Sequence, residues 1–383
     1  MRHACLTRRS FLGLVAVLPA VLLGCGTSNL PQNSDPSIQH SFFCFDTACA
    51  VGGVMSQELL DAVVQRCQHF DKTLTRTNEA SDIGRINTAA GHPVTVEQET
   101  ADLITQALAY CEASNGLFDI TIGTITSLWD FHEGVVPSQE QIDAALPHVG
   151  YQKVQVDGQT VTLLDPQTKL DLGGIAKGYV ADVLVDMLAA EGVTSAYVNL
   201  GGNVKVLGAK PDGSPWQVGV RDPSSDVATG ASVARIALTG GSVVTSGLYE
   251  RQFEQDGKRY WHILDPQTGY PVESDLVSAT IVSERSIDGD GYTKPLFMMG
   301  KEKALAWAAE HDDLQVLLVD ANGDITMSPE GAFELLGVHA RGTEEVAGDA
   351  TCHFLRPPGM WPTHGGMWPT KGQTAPSSGR AQS

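Results

Sequence analysis

The sequence predicts a large domain of mixed helix and strand content, and three observations carry that expectation. Apolar residues recur at helical spacing in two early segments: Leu59, Leu60, Val63, Val64 and Cys67, then Leu103, Ile104, Ala107, Leu108 and Cys111. Two strand-like runs, 196–200 and 204–207, flank Gly201-Gly202-Asn203, which is a hairpin signal. Ahead of them, Asp171-Leu172-Gly173-Gly174-Ile175-Ala176-Lys177-Gly178 leads from a turn and short strand (165–170) into an amphipathic helix carrying Val180, Val183, Leu184, Met187 and Leu188, with a stop at Gly192.

That glycine-rich turn organises the rest of the chain. Gly173, Gly174 and Gly178 let backbone approach a ligand closely. Free N–H groups at a helix start favour an anion, and Lys177 adds a positive charge there. Two readings stand: a phosphate cradle, or simply a tight strand-to-helix turn. The stretch is neither a Gly-Lys-Ser/Thr phosphate loop nor a GxGxxG dinucleotide fingerprint.

The chain has 383 residues, 42% of them hydrophobic, enough for a large core. A formal net charge of −20 argues against nucleic acid as a partner. At the start, Thr7-Arg8-Arg9-Ser10-Phe11-Leu12 resembles a twin-arginine export motif. The apolar run that follows is shorter than the roughly 20 residues of a membrane span and ends in Leu22-Leu23-Gly24-Cys25, similar to a lipobox. Residues 1–24 are therefore expected to be a signal peptide, Cys25 to carry lipid, and 25–40 to tether the fold to a membrane facing outside the cytoplasm. Cys44, Cys49, Cys67, Cys111 and Cys352 show no metal-site spacing and read mostly as buried thiols, with one disulfide possible outside the cytoplasm.

In chain order, 41–51 reads as a strand and 57–70 as a helix. A polar loop, 74–87, follows, in which Arg76, Arg85 and Asn87 either meet a ligand or are solvated. A helix over 97–114 ends at Asn115-Gly116. Asp119, set between Phe118 and Ile120, needs a hydrogen-bond partner if buried; it holds a turn or faces a ligand. Strands are expected at 216–220, 233–238, 242–245, 276–282 and 314–319, and a helix at 302–310. Asp165-Pro-Gln-Thr168 and Asp265-Pro-Gln-Thr268 repeat one turn signal, with His262 ahead of the second. Asp288-Gly-Asp-Gly291 does not make a calcium loop, because the twelfth position falls on Met299. The domain is expected to span 41–340, and the Pro-, Gly- and Ser-rich end, 341–383, to be a disordered tail.

Taken in order, the 75–87 loop, Gly116-Leu-Phe-Asp119, Asp171–Gly178, Asn199-Leu-Gly-Gly-Asn203, Thr245-Ser-Gly-Leu-Tyr-Glu-Arg251, His262-Ile-Leu-Asp-Pro-Gln-Thr-Gly269 and Asp290 closely resemble the ApbE family of FAD:protein FMN transferases. The resemblance covers 43 to about 327. It implies an α+β fold, a mixed sheet core with flanking helices and FAD in a central cleft. It also implies a Mg²⁺-dependent reaction in which FAD is cleaved, AMP leaves, and FMN is joined to a Thr or Ser of an acceptor flavoprotein. Some members instead hydrolyse FAD to FMN and AMP. By position, Phe45, Thr77, Leu117, Phe118, Asp119, Asp171, Lys177 and Ile263 contact FAD. Gly174 (through its carbonyl) and Asp290 hold the metal, and His262 is the candidate base, the alternative being a structural turn histidine.

One position departs from the family. The usual Asp-x-x-x-Thr/Ser supplies a second metal ligand, yet here the spacing gives Lys294. Three outcomes are open: Thr293 ligates instead, the Lys294 ammonium stands in for the metal, or the protein binds FAD without turning it over.

Overall fold

A computed structural model describes residues 37–225 and 230–337. The expected signal peptide, Cys25, Cys352 and the 341–383 tail lie outside these residues. In order, the elements are β1 (Ser37–Cys44), β2 (Thr47–Val54), α1 (Gln57–Leu74), α2 (Asp82–Thr88), β3 (Val94–Thr95), α3 (Gln98–Ala113), α4 (Gly123–Thr126), α5 (Gln139–Ala145), β4 (Val154–Asp157), β5 (Thr160–Leu163) and α6 (Ala176–Ala190). Then come β6 (Ala196–Leu200), β7 (Asn203–Leu207), β8 (Trp216–Arg221), β9 (Ser232–Leu238), β10 (Gly240–Gly247), β11 (Gln252–Gln255), β12 (Lys258–Trp261), β13 (Leu276–Ser283), α7 (Ser286–Ala308), β14 (Gln315–Asp320), β15 (Ile325–Ser328) and β16 (Glu334–Leu335).

An eight-stranded sheet in the order β1-β2-β6-β7-β10-β13-β14-β15 forms the middle layer. Its neighbouring strands all pair antiparallel. Period-two alternation divides its side chains between two cores. Val198 and Leu200 of β6 join the helices α1 and α6, whereas Tyr197 joins Val218, Val220 and Val233 of a small sheet, β16-β9-β8, on the opposite face. The result is an α+β architecture of three layers, with α6 and α7 side by side across one face of the sheet. Leu184 and Leu188 of α6 are fully buried, each contributing roughly 1.5–3 kcal/mol. Among the described residues no helix is long and apolar enough to cross a membrane.

Four expectations are corrected. Residues 37–40, assigned to the tether, are the first half of β1. The single strand over 41–51 is a hairpin, turned by Phe45 and Asp46 in left-handed conformation (φ 52° and 54°). The strand over 165–170 reduces to one parallel bridge, Ile122 to Lys169. The helix expected at 302–310 begins at Ser286 and bends at Gly300 (φ 71°), so Asp288-Gly-Asp-Gly291 is helical. Its glycines answer to packing. A Cβ on Gly289 would stand 2.5 Å from Val244 of β10, and one on Gly291 2.5 Å from the Tyr110 ring of α3.

The four described cysteines, Cys44, Cys49, Cys67 and Cys111, are buried free thiols, so no disulfide forms among the described residues. Burial pushes the Cys49 thiol up to about 12, which keeps it protonated and unreactive.

Candidate active site

The site is built where the start of α6 meets the start of α7. Asn87 fixes the approach: its Nδ2 donates to the Leu170 carbonyl at 2.9 Å, and the Leu170 N–H donates to its Oδ1 at 2.6 Å. Asp171 then shapes the glycine loop. Its Oδ1 accepts from Gly173 N–H at 2.9 Å; its Oδ2 accepts from the Thr126 hydroxyl at 2.8 Å and pairs with Arg76 Nε at 3.0 Å. At Gly174, a Cβ would stand 3.1 Å from the Phe118 ring and 3.8 Å from Lys294 Cε. The glycine backbone thus lies close against that ring and beside the lysine stem.

Gly178 joins the two helices. Its N–H donates to Asp290 Oδ2 at 2.7 Å, and a Cβ there would meet the Ser286 carbonyl at 2.5 Å. The first N–H groups of α7 have no cap from the preceding residue. Asp182 of α6 supplies it instead, accepting from Ser286 N–H at 2.8 Å and Ile287 N–H at 3.0 Å while Lys205 pairs with it at 2.7 Å. This carboxylate, 8% exposed, holds α7 in place, and sequence reasoning missed it. Its only trace in the sequence is an acid on the apolar side of a helix.

The opposite wall comes from the turns of the sheet. Lys177 Nζ donates to the Gly201 carbonyl at 3.3 Å, and a Cβ on Gly201 would strike Thr47, beside the Phe45 turn. A Cβ on Gly202 would lie 4.0 Å from Glu250 Oε1. The Glu250 side chain keeps accessible surface, yet desolvation by the surrounding protein raises its carboxyl above the usual range, opposed by Lys177, Lys294, Arg251 and Arg221. His262 donates its backbone N–H to the Arg251 carbonyl at 3.0 Å. Its half-buried ring keeps Nδ1 sealed from solvent without a partner. Desolvation, then Arg251, Lys294 and Lys177, push its pKa down to about 3, so the imidazole is neutral at physiological pH. Glu250 and Arg251 were visible only as part of a motif.

Gly174, Lys177, His262, Asp290 and Lys294 thus converge, with Phe118 over Gly174 and Asp171 beneath the loop. Thr77 lies exposed, its hydroxyl 3.0 Å from that of Thr75, and Leu117 is half-buried. Four side chains among the candidates are engaged within the protein itself. Asp119, 5% exposed, uses Oδ1 for the Thr121 N–H and hydroxyl and Oδ2 for the Tyr151 N–H, so it holds a turn. Ile263 is 5% exposed and packs with Leu276 and Phe297, leaving almost no side-chain surface for a ligand. Arg85 is occupied by Asp82 and the Thr95 carbonyl, and Asn87 by Leu170. Two surface hollows of about 400 and 300 Å³ border α3, at Leu108 and Tyr151 and at Tyr110 and Arg285. Neither includes the converging groups, which define the site by chemistry instead.

The residues do not fit a magnesium ion of the family kind. Magnesium demands several hard oxygen ligands in near-octahedral array. Asp290 Oδ2 is held by Gly178, and Oδ1 accepts from Lys294 Nζ at 3.0 Å. Thr293, the adjacent hydroxyl, is 0% exposed and shares a hydrogen bond with Ser246 at 2.9 Å, so it cannot ligate here. Among the described residues no group of three His, Cys, Asp or Glu could hold a metal.

The ApbE family profile matches residues 45–318. The Klebsiella pneumoniae (strain 342) protein named FAD:protein FMN transferase is 41% identical over 277 residues, 71% of this chain and 85% of that one. Its Escherichia coli (strain K12) namesake is 31% identical over 340 residues, 82% and 95% of the two chains. Among solved structures, the ApbE protein of Thermotoga maritima matches with a TM-score of 0.70 at 33% identity, covering 77% of this chain and 97% of that one. The Pseudomonas stutzeri flavinyl transferase ApbE, in its apo form, matches with 0.67 at 30%, covering 78% and 96%. The chain belongs to the ApbE family.

Proposed function

We propose that this protein is a FAD:protein FMN transferase. The observation that carries the reading is the convergence of the Gly174 loop, Lys177, Lys294 and a neutral His262 on one place, in a chain whose relatives bear that name. The hydroxyl oxygen of an acceptor Thr or Ser attacks the FMN-side phosphorus of FAD. The P–O bond to the adenylate breaks, AMP departs with the bridging oxygen, and FMN remains on the acceptor through a phosphoester. The hydroxyl proton passes to His262. Phosphoryl transfer of this kind depends on charge neutralisation and alignment more than on covalent help. Lys177 and Lys294 supply the positive charge; the Ala176 and Gly178 N–H groups at the start of α6 are taken by the Leu172 carbonyl and by Asp290.

His262 is a weak base in the free protein, first because burial desolvates it and then because Arg251, Lys294 and Lys177 oppose its protonation. A bound diphosphate brings compensating negative charge, which raises its basicity when a proton must be taken. The acceptor is an extracytoplasmic flavoprotein presenting a Thr or Ser. Supporting that location are the twin-arginine signal and Cys25, which would carry lipid and anchor the mature protein to the membrane.

The test is mass spectrometry of a co-expressed acceptor domain. FMN on a Thr or Ser with stoichiometric AMP is the expected outcome, lost in Asp290→Ala. Rapid release of free FMN and AMP from FAD alone would instead mark a hydrolase. Tight FAD binding with no AMP would mark a binding protein.

A further inference from the structure

The cation of this site is built into the chain. Asp290 is 1% exposed, and a carboxylate so placed needs partners for both oxygens. The Gly178 N–H takes one, and the Lys294 ammonium, one helical turn along α7, takes the other at 3.0 Å. The lysine stem passes beside Gly174, its Cε 3.8 Å from where a Cβ would stand. Lys294 therefore spans the gap between the buried acid and the glycine loop. An ammonium has three N–H donors; one serves Asp290, which leaves two to aim at ligand oxygens.

The neighbouring groups leave no substitute place for a divalent ion. Thr293 points to Ser246 of β10, about 100° round the helix from Lys294. A dication brought beside Asp290 would also face the ammonium as a like charge.

We propose that the Lys294 ammonium is the resident cation of the diphosphate site, so that the chain binds FAD without a divalent ion. This rests on the site being a FAD site. Losing one charge-assisted contact of this kind costs roughly tenfold in affinity.

The test uses the exported protein and two readouts that need no turnover. The first is FAD affinity by flavin fluorescence, in excess chelator and in saturating Mg²⁺. The second is Mn²⁺ binding by EPR, with and without FAD. The wild type is expected to hold FAD with affinities within about twofold in the two buffers, and to bind no stoichiometric Mn²⁺. Lys294→Thr is expected to bind FAD roughly tenfold more weakly in chelator and to recover with Mg²⁺, with one Mn²⁺ bound. Lys294→Gln, which removes the charge without adding a hydroxyl, is expected to weaken in both buffers. A wild-type complex with stoichiometric Mn²⁺, or with FAD affinity roughly tenfold higher in Mg²⁺, overturns the proposal whatever the variants do. Failure of the wild type to bind FAD in either buffer overturns the FAD reading itself and this inference with it.

Discussion

The chain writes Asp-Pro-Gln-Thr twice and gives the two copies different neighbours. In both, the acid accepts from the N–H two residues on, at 2.9 Å for Asp165 and 2.8 Å for Asp265, and its carbonyl accepts from the following Thr. The turn is therefore local property. The histidines differ. His148 reaches Asp165 Oδ2 through Nδ1 at 2.7 Å, and Lys153 stands 3.7 Å away, so charges are matched and Asp165 is held below the usual carboxylate range, His148 first among the causes. His262 has a sealed Nδ1 with no partner, and burial, then Arg251, Lys294 and Lys177, oppose its protonation. The same tetrapeptide anchors a satisfied ion pair in one place and an unsatisfied imidazole in the other. Local sequence decides the backbone; the charges that the fold brings round it decide the chemistry.

The largest effect expected from breaking this contrast is on turnover. His262→Ala should slow FMN transfer by roughly 10²–10⁴-fold while FAD affinity stays within about twofold. His148→Ala should leave the labelling rate of the acceptor unchanged. Equal losses in both variants would erase the distinction.

Titration sharpens the contrast next. In the free protein the His262 ring signals, followed by NMR, should stay in the neutral form through pH 5–7 and move only as pH falls toward about 3. Because the folded-state pKa is depressed, the stability linked to this group is present above its unfolded pKa near 6.5 and is lost as pH falls. Added FAD or ADP should raise the His262 pKa by about one pH unit or more, since the diphosphate offsets the cations. No rise on saturation would remove His262 from the diphosphate's neighbourhood.

The smallest effect belongs to the satisfied copy. Asp165→Asn should cost up to about 1 kcal/mol at neutral pH by denaturant unfolding, with FAD affinity intact. Asp165 has a depressed pKa, so its contribution holds above about pH 3.9 and disappears as pH falls below it. A wild-type-minus-variant difference that persists at the acid end would contradict that origin.

The periodic and punctuated parts of the fold were legible in the sequence. Helical spacing located α1, α3 and α6, and Gly201-Gly202 located the β6–β7 hairpin. What stayed hidden needed tertiary partners. Phe45 and Asp46 carry no glycine, so their left-handed turn gave no signal. Gly289 and Gly291 are poor helix formers, which disguised the start of α7; they sit in a helix because Val244 and Tyr110 leave no room for a side chain. The motif residues Gly174, Lys177, His262 and Asp290 were readable because their spacing is fixed along the chain. Asp182 was not, since its role exists only once α7 is laid against α6. Asp119 stayed open in the sequence because one residue type serves both a buried turn and a ligand; its hydrogen bonds to Thr121 and Tyr151 needed the fold.

The seam between α6 and α7 has a consequence for recognition. Gly178 meets Ser286 backbone to backbone, and Asp290 is pinned across the junction, so little freedom is left there for an arriving molecule to freeze out. Association then carries a small entropic penalty at the phosphates. Discrimination between nucleotides falls to the parts of the ligand lying beyond that seam, where the walls are turns rather than helices.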